Sequence, residues 1–154
     1  MSATAVPSNS RWFLLYRRWL TVGFVAYWVV MFTLTHLPDP PDLFTKGFDD
    51  KQAHGLGYLL FGIGLGVMWG VWRGRLGWLP LLGLFALAIT YAACDEATQP
   101  WFQRYADIHD WYSDVRGSGL GLGLAAVYDR ASRWLAGRVG EAVCVESRRR
   151  CRGN

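Results

Sequence analysis

Two polar segments of this 154-residue chain carry residue types suited to acid–base or ligand chemistry. In the first, Asp50, His54 and Tyr58 follow at intervals of four residues, which places them on one face of a helix. In the second, Glu96 is followed three residues later by Gln99, and carboxylates recur at intervals of three and four residues: Asp107, Asp110 and Asp114. Carboxylates and an imidazole can transfer protons, while Lys51 and Arg104 are suited to binding an anion.

The elements that must position these residues are long apolar runs. Hydrophobic residues make up 52% of the chain and charged residues only 18%. Residues 19–37, 55–72 and 76–94 carry no Asp, Glu, Lys or Arg, and runs of about 18–20 such residues match the hydrocarbon core of a bilayer. A fourth run, 117–128, is shorter and reaches twenty residues only as 111–130, with charges near both ends. We predict an all-α membrane protein, a bundle of four transmembrane helices at about 15–37, 52–72, 76–97 and 108–130.

A cleaved signal peptide is the alternative for the first apolar run, since Arg17 and Arg18 precede it as in a twin-arginine signal. The run is longer than the usual apolar region of a signal peptide, however. It also ends at Leu37 and Pro38 without a small-x-small cleavage site. We therefore predict an uncleaved membrane anchor.

The distribution of Lys and Arg predicts the orientation of the helices. Twelve of these residues border one side of the predicted spans, whereas the other side has four of them and nine acids. By the positive-inside rule both termini are cytoplasmic and the polar segments face outward. We predict a disordered N-terminus at 1–10, a membrane domain at 11–137 and a basic cytoplasmic tail at 138–154, in the bacterial inner (plasma) membrane. The expected partners are membrane lipids and not nucleic acid, because the basic residues flank membrane spans.

Glycine spacing predicts which helices are in contact. Gly62, Gly66 and Gly70 recur at every fourth residue of the second helix, and Gly117 and Gly121 do so in the fourth. Small residues at this spacing let two helix backbones approach closely in lipid. We expect helices two and four to touch, which would bring the polar segments together.

Three interpretations of the polar cluster stay open. Five carboxylates in one place repel one another unless a partner neutralises them, and Lys51 and Arg104 could do so within a purely structural network. A divalent metal ion is a second partner, but no H-E-x-x-H or similar spacing is present, so the sequence predicts no metal site and identifies no cofactor. The third is the phosphate or sugar of a lipid-linked substrate. Asp107 also suits a helix N-cap, with Asp110 three residues later as in a capping box.

The polar segments resemble the motif of the VanZ-like family of small bacterial membrane proteins. That motif is Asp-Lys-x-x-His with a Tyr four residues on, and later Glu-x-x-Gln, an aromatic residue, Arg, and Asp with Asn or Asp four residues beyond, then Gly. The matching residues lie within about half the chain, from Asp49 to Gly123: Asp50, Lys51, His54, Tyr58, Glu96, Gln99, Phe102, Arg104, Asp110, Asp114 and Gly117. Many members have Asn where this chain has Asp114. The family's namesake is associated with teicoplanin resistance, so the resemblance implies a role in the cell envelope.

The expected function is an outward-facing polar pocket that binds or modifies a lipid-linked envelope precursor. In that interpretation Glu96, Asp110 and His54 are the catalytic candidates, with His54 transferring protons. The ligand-binding candidates are Lys51 and Arg104 as anion ligands, together with Asp50, Gln99 and Asp114. One alternative is a non-catalytic membrane factor whose polar cluster clamps the helices together. Another is a small transporter subunit, although no acid lies in the middle of the first three predicted spans. The sequence specifies no oligomeric state.

Overall fold

The computed structural model describes residues 11–38 and 49–152, with side chains described as far as residue 144. Within these residues the protein is all-helical. The helices are α1 (Arg11–His36), α2 (Asp50–Arg73), α3 (Trp78–Thr98) and α4 (Ile108–Arg152), with a 3-10 turn at Gln99–Phe102 after α3. Three of the predicted helices are reproduced to within a few residues, whereas the helix predicted at 108–130 begins as expected and continues to Arg152. The predicted disorder at 1–10 lies outside the described residues.

Among the residues that the structure describes, three helical segments are long and apolar enough to cross a membrane: Arg11–His36, Asp50–Arg73 and Trp78–Phe102. Their surfaces agree with this assignment, since many large apolar side chains point outward, for example Trp19, Leu79 and Leu82. Glycines aside, the buried positions include as many polar or charged residues as hydrophobic ones, nine of each among the described residues. An apolar surface around an interior that contains polar side chains is typical of a membrane protein.

The closest helix packing joins α2 and α4. A side chain at Gly62 would overlap the Ser118 carbonyl, and one at Gly117 would overlap the Gly55 carbonyl. Gly121 lies equally close to the Leu59 carbonyl. The predicted contact between these helices is therefore confirmed, with glycines of both helices at the interface.

The remaining helices pack around this pair. α3 packs on α4, and α1 packs on α2, where the Tyr27 hydroxyl donates a hydrogen bond to the Gly57 carbonyl at 2.6 Å. α1 and α3 end where α2 and α4 begin, and we call this the polar end of the bundle. At the opposite end, the basic end, Arg17 stacks on Trp72, and the Leu76 amide donates to Asp129 of α4 at 3.2 Å.

Candidate functional site at the polar end

Three buried side chains from three different helices meet at the polar end: His54 of α2, Glu96 of α3 and Asp114 of α4. The Nδ1 atom of His54 lies 3.2 Å from Oδ1 of Asp114 and 3.8 Å from Oε1 of Glu96. We call these residues the inner triad. Within the described residues, neither carboxylate of the triad pairs with a Lys or Arg side chain. The imidazole is therefore their nearest source of positive charge.

Glu96 is oriented by two hydrogen bonds from the segment that joins α3 to α4. The Gln99 side-chain amide donates to its Oε1 at 2.8 Å, and the backbone N–H of Asp107 donates to its Oε2 at 3.0 Å. Gln99 begins the 3-10 turn, which Gln103 ends in the left-handed backbone region with φ 64°. Non-glycine residues rarely adopt this conformation, so this turn is a specific feature of the connection. It places both donors against Glu96.

Five further residues of the motif region surround the triad and form ion pairs. Lys51 contacts Oδ2 of Asp107 at 3.0 Å and Oδ1 of Asp110 at 3.3 Å. Arg104 reaches both carboxylate oxygens of Asp50, at 3.0 and 3.2 Å, and also the Leu37 carbonyl at 3.4 Å. We call this outer set the rim: Asp50, Lys51, Arg104, Asp107 and Asp110. Both rim cations thus already contact carboxylates of the chain itself.

Asp107 also forms the N-cap of α4, as the sequence predicted. Its Oδ1 accepts the backbone N–H of His109 at 2.9 Å and contacts His109 Nδ1 at 2.8 Å. Those two bonds, and then the bond from Lys51, favour the charged form and hold the pKa of Asp107 well below its usual range. Asp107 therefore remains ionised when less strongly paired carboxyl groups are protonated.

Several fully buried polar atoms near the triad lack a hydrogen-bond partner among the described residues. They include Oδ2 of Asp114, Oε1 of Gln99 and Oγ of Ser118, which lies one turn beyond Asp114 on α4. An unpaired polar atom in a region without water costs several kcal/mol, on the order of 1–3 in protein mutational data. These atoms have unused capacity to bind a ligand, an ion or water.

Comparison with known proteins finds no matching family model, no matching curated protein and no matching solved structure. All eight site residues named from the sequence lie at the polar end. The inner triad contains two of the three catalytic candidates, His54 and Glu96, while the third, Asp110, is buried beside Lys51. Of the ligand-binding candidates, Asp114 belongs to the triad, Gln99 supports it, and the others lie in the rim.

A second buried cluster lies beside the triad, and none of its residues was identified as a candidate from the sequence. His36, at the end of α1, stacks on Phe32 and places Nδ1 3.8 Å from Oδ1 of Asp95. Its Nε2 lies 2.9 Å from the Thr98 hydroxyl, and Thr35 also contacts Asp95. The available signal was that His36 and Asp95 both lie at ends of apolar runs predicted to meet on the same side of the membrane. Spacing within one helix could not reveal a contact between two helices.

The polar end combines proton-transfer groups with an excess of negative charge. The triad and rim together hold five carboxylates but only two permanently charged cations. Two sets of side chains bring potential metal-ligand atoms within 4.8 Å of one another: Asp50 with His54 and Asp110, and the inner triad. Acid–base chemistry and cation binding are both compatible with this arrangement.

Proposed function

We propose that this chain is a VanZ-like integral membrane protein whose polar end binds a lipid-linked precursor of the bacterial cell envelope. The observation that carries the proposal is a cluster of buried ionisable side chains from three helices, His54, Glu96 and Asp114, beside the cations Lys51 and Arg104 at one end of a membrane bundle. Burying ionisable groups is costly, and in membrane helices such groups usually mark a functional site. The motif residues that resemble the VanZ-like family supply the envelope context and the proposed link to glycopeptide (teicoplanin) resistance.

The proposal places the protein in the inner (plasma) membrane, with α4 as a fourth span and both termini cytoplasmic. The contacts of α4 support a membrane span, because they lie at both ends of the bundle. The Asp107 N–H, just before α4, donates to Glu96 at the polar end, and Asp129 of α4 accepts the Leu76 amide at the basic end. Residues 108–130 cover about 34 Å as a helix, enough to cross a hydrocarbon core of about 30 Å. The excess of Arg near the basic end supports the orientation.

In this function the rim recognises the substrate and the triad supplies acid–base groups. Lys51 and Arg104 would bind the phosphate groups of the lipid, exchanging contacts with the chain's own carboxylates for contacts with the ligand. His54 would transfer protons, with Glu96 and Asp110 as the other two catalytic candidates. Gln99 and Asp114 would orient these groups, and Asp50 would hold Arg104 in place.

The second candidate is a non-catalytic membrane factor in which the polar end is an interhelical clamp. Its supporting observation is that Lys51 and Arg104 are both ion-paired within the chain, each linking elements distant in sequence. A clamp of this kind stabilises the bundle without needing a ligand. The two candidates differ in whether substitutions at the polar end change activity separately from protein abundance.

The test is expression of the wild type and three variants, Glu96→Gln, Arg104→Ala and Asp110→Asn, in a glycopeptide-sensitive Gram-positive host. Membrane abundance and teicoplanin susceptibility are measured on the same cultures. We expect the wild type to protect, and each variant to lose protection while its abundance stays within about twofold of wild type. Glu96→Gln and Asp110→Asn keep the size of the buried side chain and one acceptor oxygen, and Arg104→Ala leaves Asp50, which is exposed to solvent, as the unpaired partner.

Asp129→Asn is the matched control, because it makes the same carboxylate-to-amide change on α4 at the basic end. It should keep both abundance and protection. Parallel loss of abundance and protection in the polar-end variants would favour the clamp. A wild type that never protects would remove glycopeptide resistance from the proposal, and failure of the purified protein to bind a polyprenyl-pyrophosphate lipid would refute precursor binding itself.

A further inference from the structure

The inner triad has the ligand types and the spacing of a metal site. His54 offers an imidazole nitrogen, and Glu96 and Asp114 offer one carboxylate oxygen each, all within 4.8 Å of one another. Metal–ligand bonds of about 2.0–2.2 Å put neighbouring ligand atoms roughly 3–3.5 Å apart. The distances from Nδ1 of His54, 3.2 Å to Asp114 and 3.8 Å to Glu96, are close to that range.

Two unpartnered oxygens independently indicate a missing positive charge. Oδ2 of Asp114 and Oε1 of Gln99 are fully buried and have no hydrogen-bond donor among the described residues. The amide of Gln99 cannot be reversed to help, because only its NH2 group can donate to Glu96. Both atoms are acceptors only, so what they lack is a donor or a cation.

Charge distinguishes the triad from the other metal-compatible set, Asp50 with His54 and Asp110. In that set, Asp50 is paired with Arg104, and Asp110 shares Lys51 with Asp107, so each carboxylate already contacts a permanently charged cation. The two triad carboxylates have only the imidazole. A divalent cation bound by two carboxylates and a neutral imidazole gives a site with no net charge, which is the least costly state for a buried position at a membrane boundary.

We infer that the inner triad binds a divalent transition-metal ion. The ligands are His54 Nδ1 and one carboxylate oxygen each of Glu96 and Asp114, and the side-chain oxygen of Gln99, Oε1, is a neighbouring ligand atom. Mixed nitrogen and oxygen ligands suit Zn²⁺ or Mn²⁺ better than Mg²⁺, which prefers oxygen alone. Since Nδ1 would hold the metal, Nε2 remains as the other imidazole nitrogen. The site does not depend on which lipid, if any, the polar end binds.

The test measures metal bound to the purified full chain in detergent micelles, with all three cysteines replaced by serine so that thiolates cannot bind zinc. Protein stripped with a chelator is dialysed against Zn²⁺, Mn²⁺ or Mg²⁺ and analysed for metal content. We expect one equivalent of Zn²⁺ or Mn²⁺ per chain, and weak binding of Mg²⁺. Asp114→Asn and Glu96→Gln should weaken binding by at least about tenfold, an effect that even outer-shell changes can reach.

Asp129→Asn is the control, since it removes a carboxylate at the basic end and should leave binding nearly unchanged, whereas Asp50→Asn tests the other metal-compatible set. The cysteine-free parent provides a readout that needs no substitution in the site: Zn²⁺ should raise its melting temperature, because a ligand that binds only the folded state stabilises it. Absence of stoichiometric Zn²⁺ and Mn²⁺ binding in the cysteine-free parent would overturn the inference. Equal loss of binding in Asp50→Asn and Asp114→Asn would also overturn it, whereas the susceptibility of cells to teicoplanin has no bearing on either result.

Discussion

The contact between α2 and α4 gives a prediction about a single methyl group. In Gly117→Ala the new Cβ would overlap the carbonyl oxygen of Gly55 and crowd the backbone at Leu59. Gly123 lies on the same helix, but a Cβ there meets no atom within 4 Å. Gly123→Ala is therefore a matched control that makes the same chemical change without the clash.

The magnitude follows from comparing the two variants. Alanine is favoured over glycine inside a helix by about 1 kcal/mol, and this gain is common to both. Overpacking a close contact costs about 1–3 kcal/mol, and it applies only to Gly117→Ala. We thus expect the free energy of unfolding of Gly117→Ala to be lower than that of Gly123→Ala by about 1–3 kcal/mol.

The same substitution should disturb the inner triad. Gly117 lies three residues after Asp114, and relieving the overlap requires the helices to separate by on the order of 1 Å. The 3.2 Å contact between His54 and Asp114 would then exceed hydrogen-bonding distance. Gly117→Ala should accordingly weaken whatever binding the triad performs, and Gly123→Ala should not.

The assay is reversible unfolding of the purified variants in mixed micelles, followed by tryptophan fluorescence and circular dichroism. A Gly117→Ala protein as stable as Gly123→Ala would refute the reasoning, because it would mean that the helix backbones are not in close contact at this position. Equal destabilisation of both variants would point instead to an effect of alanine that does not depend on the interface.

Two further predictions concern acid stability and orientation. Because the pKa of Asp107 is lowered in the folded state, its stabilising contribution is complete above the unfolded value of about 3.9 and is lost as pH falls below it. The variant Asp107→Asn still caps α4 but loses the charged contact with Lys51. The difference in stability between wild type and this variant should therefore shrink between pH 6 and about pH 3. A difference that stays constant with pH would contradict the lowered pKa of Asp107. In a cysteine-free background, a membrane-impermeant maleimide applied to intact cells should label Ala106→Cys but not Arg75→Cys; the reverse labelling would invert the proposed topology.

The sequence predicted the helices well because length and apolar composition are local properties. The start of α4 follows from a capping residue that the sequence identified, Asp107, whose carboxylate accepts the His109 amide. The start of α2, predicted at about residue 52, lies at Asp50, because Asp49 caps the helix by accepting the Gln52 amide at 2.7 Å. The end of α4 was harder to predict, since residues after about 130 lose apolar character without any strong helix breaker. Helical propensity continues there even though the pattern of a membrane span has ended.

The pairing of individual side chains could not be predicted as well from the sequence. The sequence suggested Lys51, His54 and Arg104 as partners for the carboxylates in general, but it could not say that Arg104 contacts Asp50 or that His54 contacts Asp114. Each of these pairs joins residues at least 54 positions apart. The pairs depend on the rotation and separation of neighbouring helices.

What the sequence by itself determined is the set of helices, the membrane character and the faces on which the polar residues lie. These properties follow from the helical period and the length of the apolar runs, which depend only on consecutive residues. What only the tertiary structure decided is that three of these faces meet around His54. Lys51 and Arg104 pair with carboxylates of the rim, whereas no Lys or Arg side chain among the described residues pairs with Glu96 or Asp114. The physical reason is that this division depends on differences of about 1 Å in helix separation, since Coulomb and hydrogen-bond energies change steeply at such distances. Backbone contacts at glycines and the left-handed turn at Gln103 set those separations.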